Sequence, residues 1–364
     1  MNEHRPDWDH VYDLLLNASK DAVQVEETFE QLREIDRLRT EKDAVILAHY
    51  YQMAPIQAIA DFRGDSLNLA MQARDLGHGR LVVSATVHFM AEMIQLLSPR
   101  RKVIIPSLEA SCSIAEGVNG AMVGRMKEAF PEATVVSYIN TTAETKAAVD
   151  VVCTSANARE IVRRAPGRQV LLIPDFYFAI NIIREIDDDR EILAYKETAD
   201  GQMVFWDPRR DVTRRVPAGD GPRPPLNKGI CVVHETFTPY DVEFFRRSQG
   251  VDLVLAHPEV KPEVAALADM VGGTGKMLDY VGRTEAKNIL FITECDLAAP
   301  LIEAYPDRNF ITPCKLCPYM KKITIPGLLE SLRGEFHEII VPPELAPGAR
   351  LSLDRMFEWM RRPS

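Results

Sequence analysis

Three apolar runs, each ending in polar or aromatic residues, recur along the chain: VILAHYYQ over 45–52, VVSYINTT over 135–142 and LVLAHPEV over 253–260. Each precedes a helix-compatible stretch (IQAIADF, AETKAAV, PEVAALA) and then a small-residue turn, at Gly64-Asp65-Ser66, Thr154-Ser155 and Gly273-Thr274. A second helix and a further apolar run come after every turn: LVVSATVHF (81–89), QVLLIPDFY (169–177) and NILFITECD (288–296). The separations His49 to Ser66, Tyr138 to Ser155 and His257 to Thr274 are each 17 residues. Identical spacing between like features in three places marks an internal repeat, which outranks any single local reading. Strands that are apolar along most of their length predict parallel sheets covered on both faces.

The predicted fold is therefore α/β, with three pseudo-threefold-related, three-layer αβα units. In open parallel sheets, ligands bind beyond the carboxyl ends of the strands, where helix N-termini point. That rule places His49, Tyr51, Tyr138, Asn140, His257 and Glu259 at strand ends. Ser66, Ser155 and Thr274 then lie beside the start of the next helix, where a hydroxyl and unpaired N–H groups suit a carboxylate or phosphate. Three such ends meeting on a pseudo-threefold axis would enclose one polar cavity.

Composition narrows the class of ligand. The 364 residues are 46% hydrophobic, enough for large cores, and carry a net charge of −10. An acidic chain of this kind has no counter-charge for nucleic acid or anionic lipid. The charged opening MNEHRPDWDH lacks a signal-peptide core, and no apolar run reaches the roughly 20 residues of a membrane helix. A cytoplasmic protein acting on small molecules is expected, with no nucleic-acid or membrane partner.

Six cysteines in such a chain are better read as buried thiols, ligands or nucleophiles than as disulfides. A segment with a candidate ligand comes after each repeat: SLEASCSIAEG with Cys112, GICVVHETFTP with Cys231, and TPCKLCPYMKK with Cys314 and Cys317. From the leading residue of each unit, Cys112 lies 63 residues on, Cys231 93 and Cys317 60. One cysteine per repeat fits neither a closely packed ferredoxin run nor paired C-x-x-C zinc ligands. It fits one iron–sulfur cluster held by Cys112, Cys231 and Cys317, with an iron left open as a Lewis acid. Cys153 and Cys295, in strand-like runs, read as core. Cys314 reads as inert or as a redox partner of Cys317. His234, close to Cys231, reads equally as support for that ligand or as structural. The longer second spacing places an insertion at 183–228, charged and Pro/Gly-rich, read as a surface excursion with a hairpin turning at Asp200-Gly201. A lid or an oligomer contact and a plain solvated loop both remain readings of it.

AVILAHYYQMAPIQAIADFRGDSLNLA, VHFMAEMIQLLSP, SLEASCSIAEG, SYINTTAETKAAVDVVCTSANA, CVVHETFTP, LAHPEVKPEVAALAD and CPYMKKITI together resemble the quinolinate synthase family, over about residues 41 to 330. The resemblance implies a triangular arrangement of three αβα domains around a central [4Fe–4S] cluster. The chain then divides into 1–40, read as helical from VYDLLLNA and ETFEQLREIDRLR, the three units at 41–130, 131–250 and 251–330, and a C-terminal extension at 331–364 read as ending in a helix. The resemblance also implies condensation of iminoaspartate with dihydroxyacetone phosphate, losing phosphate and water, to give quinolinate for NAD synthesis. L-Aspartate oxidase would supply the iminoaspartate. The family's cluster ligands fall on Cys112, Cys231 and Cys317. Its catalytic positions fall on Tyr51, His257 and Glu259, and its substrate-binding positions on His49, Ser66, Tyr138, Asn140, Ser155 and Thr274. Two departures touch the site: Phe176–Asn181 where a loop ending in Leu-Gly is usual, and Gly273 where a hydroxyl residue is common. With the atypical 183–228 insertion, they keep open a paralogue acting on another small phosphorylated or dicarboxylic substrate; a cluster-based metabolite sensor is a third reading, against which the proton-transfer residues at the strand ends count.

Overall fold

A computed structural model describes residues 6–76, 80–198, 202–217 and 229–361. The chain forms two compact units. One comprises Met1–Ser111, Cys295–Ala304 and Leu316–Val341; the other comprises Cys112–Glu294, Tyr305–Lys315 and Pro342–Ser364.

The first unit holds one sheet. Its strands are β1 (Ala44–His49), β2 (Phe62–Gly64), β3 (Leu81–Ala85) and β4 (Val103–Ile104), in the order β2-β1-β3-β4 and parallel throughout. The second unit holds two sheets. In one, β5 (Ala133–Tyr138), β6 (Val151–Cys153), β7 (Gln169–Ile173) and β8 (Glu191–Glu197) repeat that order and are parallel. Antiparallel β9 (Gln202–Asp207) and β10 (Val212–Pro217) extend it beyond β8. In the other, β11 (Leu253–Ala256), β12 (Met270–Val271), β13 (Asn288–Ile292) and β14 (Asn309–Ile311) give the same order again. The sequence repeat is thus a repeat of one four-stranded parallel α/β motif, and β1, β3, β11 and most of β5, β7 and β13 are buried as expected.

A carboxylate device recurs with the sheets. The Asp61, Asp150 and Asp269 carboxylates accept the backbone N–H groups of Ile46, Val135 and Val254 at 2.8, 2.8 and 2.7 Å, each aspartate 15 residues beyond its partner. A side chain beside the start of the second strand thereby satisfies a donor on the first. Buried backbone donors need such partners.

Two expectations change. The apolar runs overshoot the strands: β1 stops at His49, β5 at Tyr138 and β11 at Ala256. The polar tails are loops, because they turn away from the ladder at the sheet edge. The segment 183–228 is not wholly a surface excursion. β8 pairs in parallel with β7 and buries Ile192, Leu193, Ala194 and Tyr195, so it is the fourth strand of the repeat. Only the chain beyond β8 is additional. The hairpin is present as β8 and β9, while its turn at Asp200-Gly201 lies outside the described residues.

The N-terminal helices Trp8–Ala18 and Ala22–Glu41 begin on Asp7 and Asp21, whose carboxylates accept first-turn N–H groups. The C-terminal helix Ala346–Arg361 packs on helix Ala143–Ala148 and on β6. No helix among the described residues is long and apolar enough to cross a membrane.

Candidate active site

Each sheet delivers its site residues in a tight loop after its first strand. His49 Nδ1 accepts the Tyr51 N–H at 3.1 Å, and His257 Nδ1 accepts the Glu259 N–H at 3.4 Å, so these two loops share one side-chain closure. In the β5 loop, the Thr141 hydroxyl donates to the Tyr138 carbonyl at 3.2 Å. In the first unit, His49 lies edge-on to Tyr51, with ring centroids 4.6 Å apart, and Lys321 Nζ donates to the Tyr51 carbonyl at 2.6 Å. Ser66 opens helix Ser66–Asp75, capped by Asp65, and its hydroxyl rests 3.8 Å from Met90 Sδ.

The second unit gathers Tyr138, His257, His234 and Cys231 near one carboxylate, that of Glu259. Glu259 is 4% exposed. Its Oε1 accepts the Tyr138 hydroxyl at 2.7 Å, and its Oε2 lies 2.8 Å from His234 Nδ1 and 3.7 Å from His257 Nδ1. The two imidazoles stack at 4.6 Å between centroids. His234 Nδ1 is also 3.1 Å from Cys231 Sγ, and its Nε2 is 2.9 Å from the Thr293 hydroxyl. Tyr138 stacks on Phe178 at 4.1 Å. Burial opposes ionisation of Glu259, but His257, His234 and the hydrogen bonds from His234 and Tyr138 outweigh it and hold the carboxyl below its ordinary range.

Asp175 shows the opposite balance. Burial and the neighbouring Glu259 charge push its carboxyl well above the usual range. It caps helix Phe176–Ile183 through Oδ1, which accepts the Phe178 N–H at 2.8 Å, while Oδ2 is buried without a hydrogen-bond partner. The two neighbouring buried carboxyls are thus driven toward opposite protonation states. Sequence alone did not single out Asp175, Thr293, or His234 as a direct partner of Glu259. For Asp175 the signal was present, since it lies just past the end of β7.

Ser155 and Thr274 belong to the same unit. Thr274 is the first residue of helix Thr274–Val281, with Gly273 as its cap. A Cβ placed on Gly273 would collide with the Ser155 hydroxyl. In its present rotamer Ser155 occupies the space a residue-273 side chain would enter. Asn140 is half-buried, and its Oδ1 is buried without a hydrogen-bond partner.

The cysteine segments share one local form. The Cys112, Cys231 and Cys317 carbonyls accept the N–H of the residue four positions on, at 3.1, 3.0 and 3.1 Å. A 3₁₀ turn begins three residues after each, at Ala115, His234 and Met320. A helix cap stands seven residues after each: Asn119, Thr238 and Thr324. Cys314 lacks this form; it is exposed, with a left-handed φ of 48°. Ser113 ties two of the segments together within the second unit, donating to the Ile230 carbonyl at 2.7 Å and accepting the Val232 N–H at 3.2 Å. Cys153 is fully buried at the end of β6, and burial pushes its thiol far above the usual range. Cys295 departs from expectation: it lies past the end of β13 in a 3₁₀ turn and is half-buried.

The profile of the quinolinate synthetase A protein (NadA) family matches residues 33–358. The chain belongs to the quinolinate synthase family. It is similar to quinolinate synthase of Agrobacterium fabrum, 37% identical over 322 residues, covering 88% of this chain and 83% of that protein. It is similar to quinolinate synthase 2 of Mesorhizobium japonicum, 38% identical over 321 residues and 88% of each chain. Quinolinate synthase of Caulobacter vibrioides is 37% identical over 330 residues, 89% of this chain and 80% of that one. As a quinolinate synthase family member the chain is an enzyme. The segment after β7 and Gly273 both lie in the second unit. There Phe176 forms one aromatic group with Tyr177 and with Trp206 of β9.

Proposed function

We propose that the chain is a quinolinate synthase that condenses iminoaspartate with dihydroxyacetone phosphate, releasing phosphate and water. Family membership supports the reading, and the buried Tyr138–Glu259–His234–His257 network carries it, because condensation and dehydration both need proton transfer at fixed positions. Cys112, Cys231 and Cys317 would hold a [4Fe–4S] cluster; their shared turn and the hydrogen-bonding reach of His234 to Cys231 suit thiolate ligands. When bound, the cluster would supply a Lewis-acidic iron without a protein ligand.

The protein's own groups divide the remaining work. Glu259, ionised, takes a proton from the substrate carbon or hydroxyl, and His257 at its side returns one. Tyr138 and His234 hold the carboxylate in place through its two oxygens. Tyr51, with its ring set against His49, acts as the second proton-transfer group. Asn140 offers its unpartnered Oδ1 to a substrate donor and its amide N–H to a carboxylate. Ser66 and Thr274 at helix starts, and Ser155 in the turn before helix Ala158–Arg164, hold phosphate and carboxylate groups. The acidic chain, without a membrane-spanning helix among its described residues, suits a cytoplasmic enzyme of NAD biosynthesis fed by L-aspartate oxidase.

The test is anaerobic incubation of cluster-loaded protein with oxaloacetate, ammonia and dihydroxyacetone phosphate, with quinolinate read by chromatography. Quinolinate formed in proportion to enzyme supports the assignment. Its absence with an intact cluster would replace it with a paralogue acting on another small substrate.

A further inference from the structure

Three buried polar side chains perform one task at three places in this fold. Gln57 Nε2 donates to the carbonyls of Tyr50 and Gln52, at 2.9 and 2.8 Å. Lys146 Nζ donates to the carbonyls of Ile139, at 2.8 Å, and Thr141. Asn181 Nδ2 donates to the carbonyls of Pro258 and Val260, both at 2.8 Å. In every case the two carbonyls flank one residue, and that residue is Tyr51, Asn140 or Glu259. The three donors are 2%, 0% and 7% exposed.

Two of the clamped loops close alike and the third closes more tightly. The Gln52 N–H returns to the His49 carbonyl at 3.0 Å, the Val260 N–H to the His257 carbonyl at 3.1 Å, and the Thr141 N–H to the Ile139 carbonyl at 2.8 Å. Tyr51 and Glu259 are thus the third residues of four-residue turns, whereas Asn140 is the middle residue of a three-residue turn whose Ile139 carbonyl accepts both the Thr141 N–H and the Lys146 ammonium. Buried carbonyls need donors, and one donor group that reaches both fixes the peptide planes on each side of that residue. The side chain between them then has only its own torsions left to vary. Gln57 and Lys146 stand eight residues after His49 and Tyr138, on the short helices Ala54–Ile59 and Ala143–Ala148. The matching position after His257 is Ala265, which has no donor. Its place is taken by Asn181 on helix Phe176–Ile183, which packs against helix Pro262–Ala265.

We propose that Gln57, Lys146 and Asn181 are positioning residues, each a two-carbonyl clamp that sets the direction of Tyr51, Asn140 or Glu259. A lysine wholly buried on two carbonyls is otherwise a costly choice, since an ammonium loses its hydration there. The segment Phe176–Asn181, which departs from the family pattern, gains a function: it carries the clamp for Glu259. The inference rests on reading Tyr51, Asn140 and Glu259 as site residues.

Two measurements on the full chain separate the clamp from that reading. The first is amide hydrogen exchange followed by mass spectrometry in Lys146→Met, Lys146→Gln and Asn181→Leu. Lys146→Met is expected to speed exchange in the peptide carrying Thr141 by on the order of 10-fold, as opening of the turn becomes local. Asn181→Leu should do the same at Val260, and Lys146→Gln, which restores the two-donor amide found at Gln57, should return exchange toward the parent rate. Unchanged exchange in both loops would overturn the clamp. The second is a double-mutant cycle on kcat/KM for quinolinate formation. Lys146→Met alone should cost on the order of 100-fold through misplacement of Asn140, and Lys146→Met with Asn140→Ala should be no worse than Asn140→Ala alone. Additive losses would overturn action through Asn140. An Asn140→Ala enzyme of full activity would instead sink the site reading, while the exchange measurement still decides the clamp. Should Lys146→Met fail to fold, Asn181→Leu decides it by the exchange rate at Val260.

Discussion

Replacing Glu259 by glutamine removes a charge while keeping the shape. The carboxylate accepts from the Tyr138 hydroxyl at 2.7 Å and lies 2.8 Å from His234 Nδ1, with both of its oxygens serving as acceptors. A glutamine has a single acceptor oxygen, so its amide nitrogen must face one of these two donors. One hydrogen bond to a charged group is lost, about 1.5–3 kcal/mol. The imidazole that shared the charge is left without its counter-ion, and breaking a buried pair from one side costs about 3–5 kcal/mol. Because the side chains around the site relax once the charge is gone, the net expectation is destabilisation of about 3 kcal/mol near neutral pH. Denaturant unfolding of cluster-free Glu259→Gln beside the parent, with equal slopes, reads this directly. Quinolinate formation by the loaded variant should fall by about 10²–10⁴-fold, the usual worth of a positioned proton-transfer group. A variant within about 1 kcal/mol of the parent would refute the charge network. One that keeps activity within about 10-fold would refute the role of Glu259 in proton transfer.

Gly273→Ser should destabilise by about 1–3 kcal/mol through collision with Ser155, and the double variant Ser155→Gly/Gly273→Ser should recover most of it in a thermal melt; no loss in the single variant would show that the two positions do not share space. Cys317→Ser should purify anaerobically with little iron and sulfide, whereas Cys314→Ser should keep the parent's content, as measured per chain; equal loss in both would remove the distinction drawn from their backbones. Asp207 is buried, and although burial opposes its ionisation, Arg209 and the Ile192 and Arg209 N–H groups hold its carboxyl below the ordinary range. Its contribution is therefore present above the unfolded aspartate value, near pH 4, and is lost as pH falls. Asp207→Asn should narrow the acid dependence of unfolding measured between about pH 3 and 6; an unchanged pH profile would contradict the argument.

Much of the site could be read before any fold was known. Parallel strands buried on both faces must be apolar, so β1, β5 and β11 announced themselves, and the 17-residue spacing located Ser66, Ser155 and Thr274 near helix starts. The strand ends were blurred because polar loop residues succeed apolar ones without a break: VVSYINTT reads as one strand, whereas β5 stops at Tyr138. The segment 183–228 misled because composition weighs charge. β8 carries Glu191, Lys196 and Glu197 at its ends but buries its four middle residues against the sheet.

By itself, the sequence determined features that depend on residues near one another along the chain: three copies of one motif, their strand-end chemistry, and one cysteine in the same turn after each copy. The tertiary structure alone decided which groups meet across copies. Tyr138 of one sheet bonds Glu259 after another, Ser155 takes up the room beside Gly273, and Asn181 supplies the clamp that Ala265 cannot. The first of these joins residues 121 positions apart. No periodicity encodes them, because they arise only where separate sheets pack and each buried polar group must find a partner.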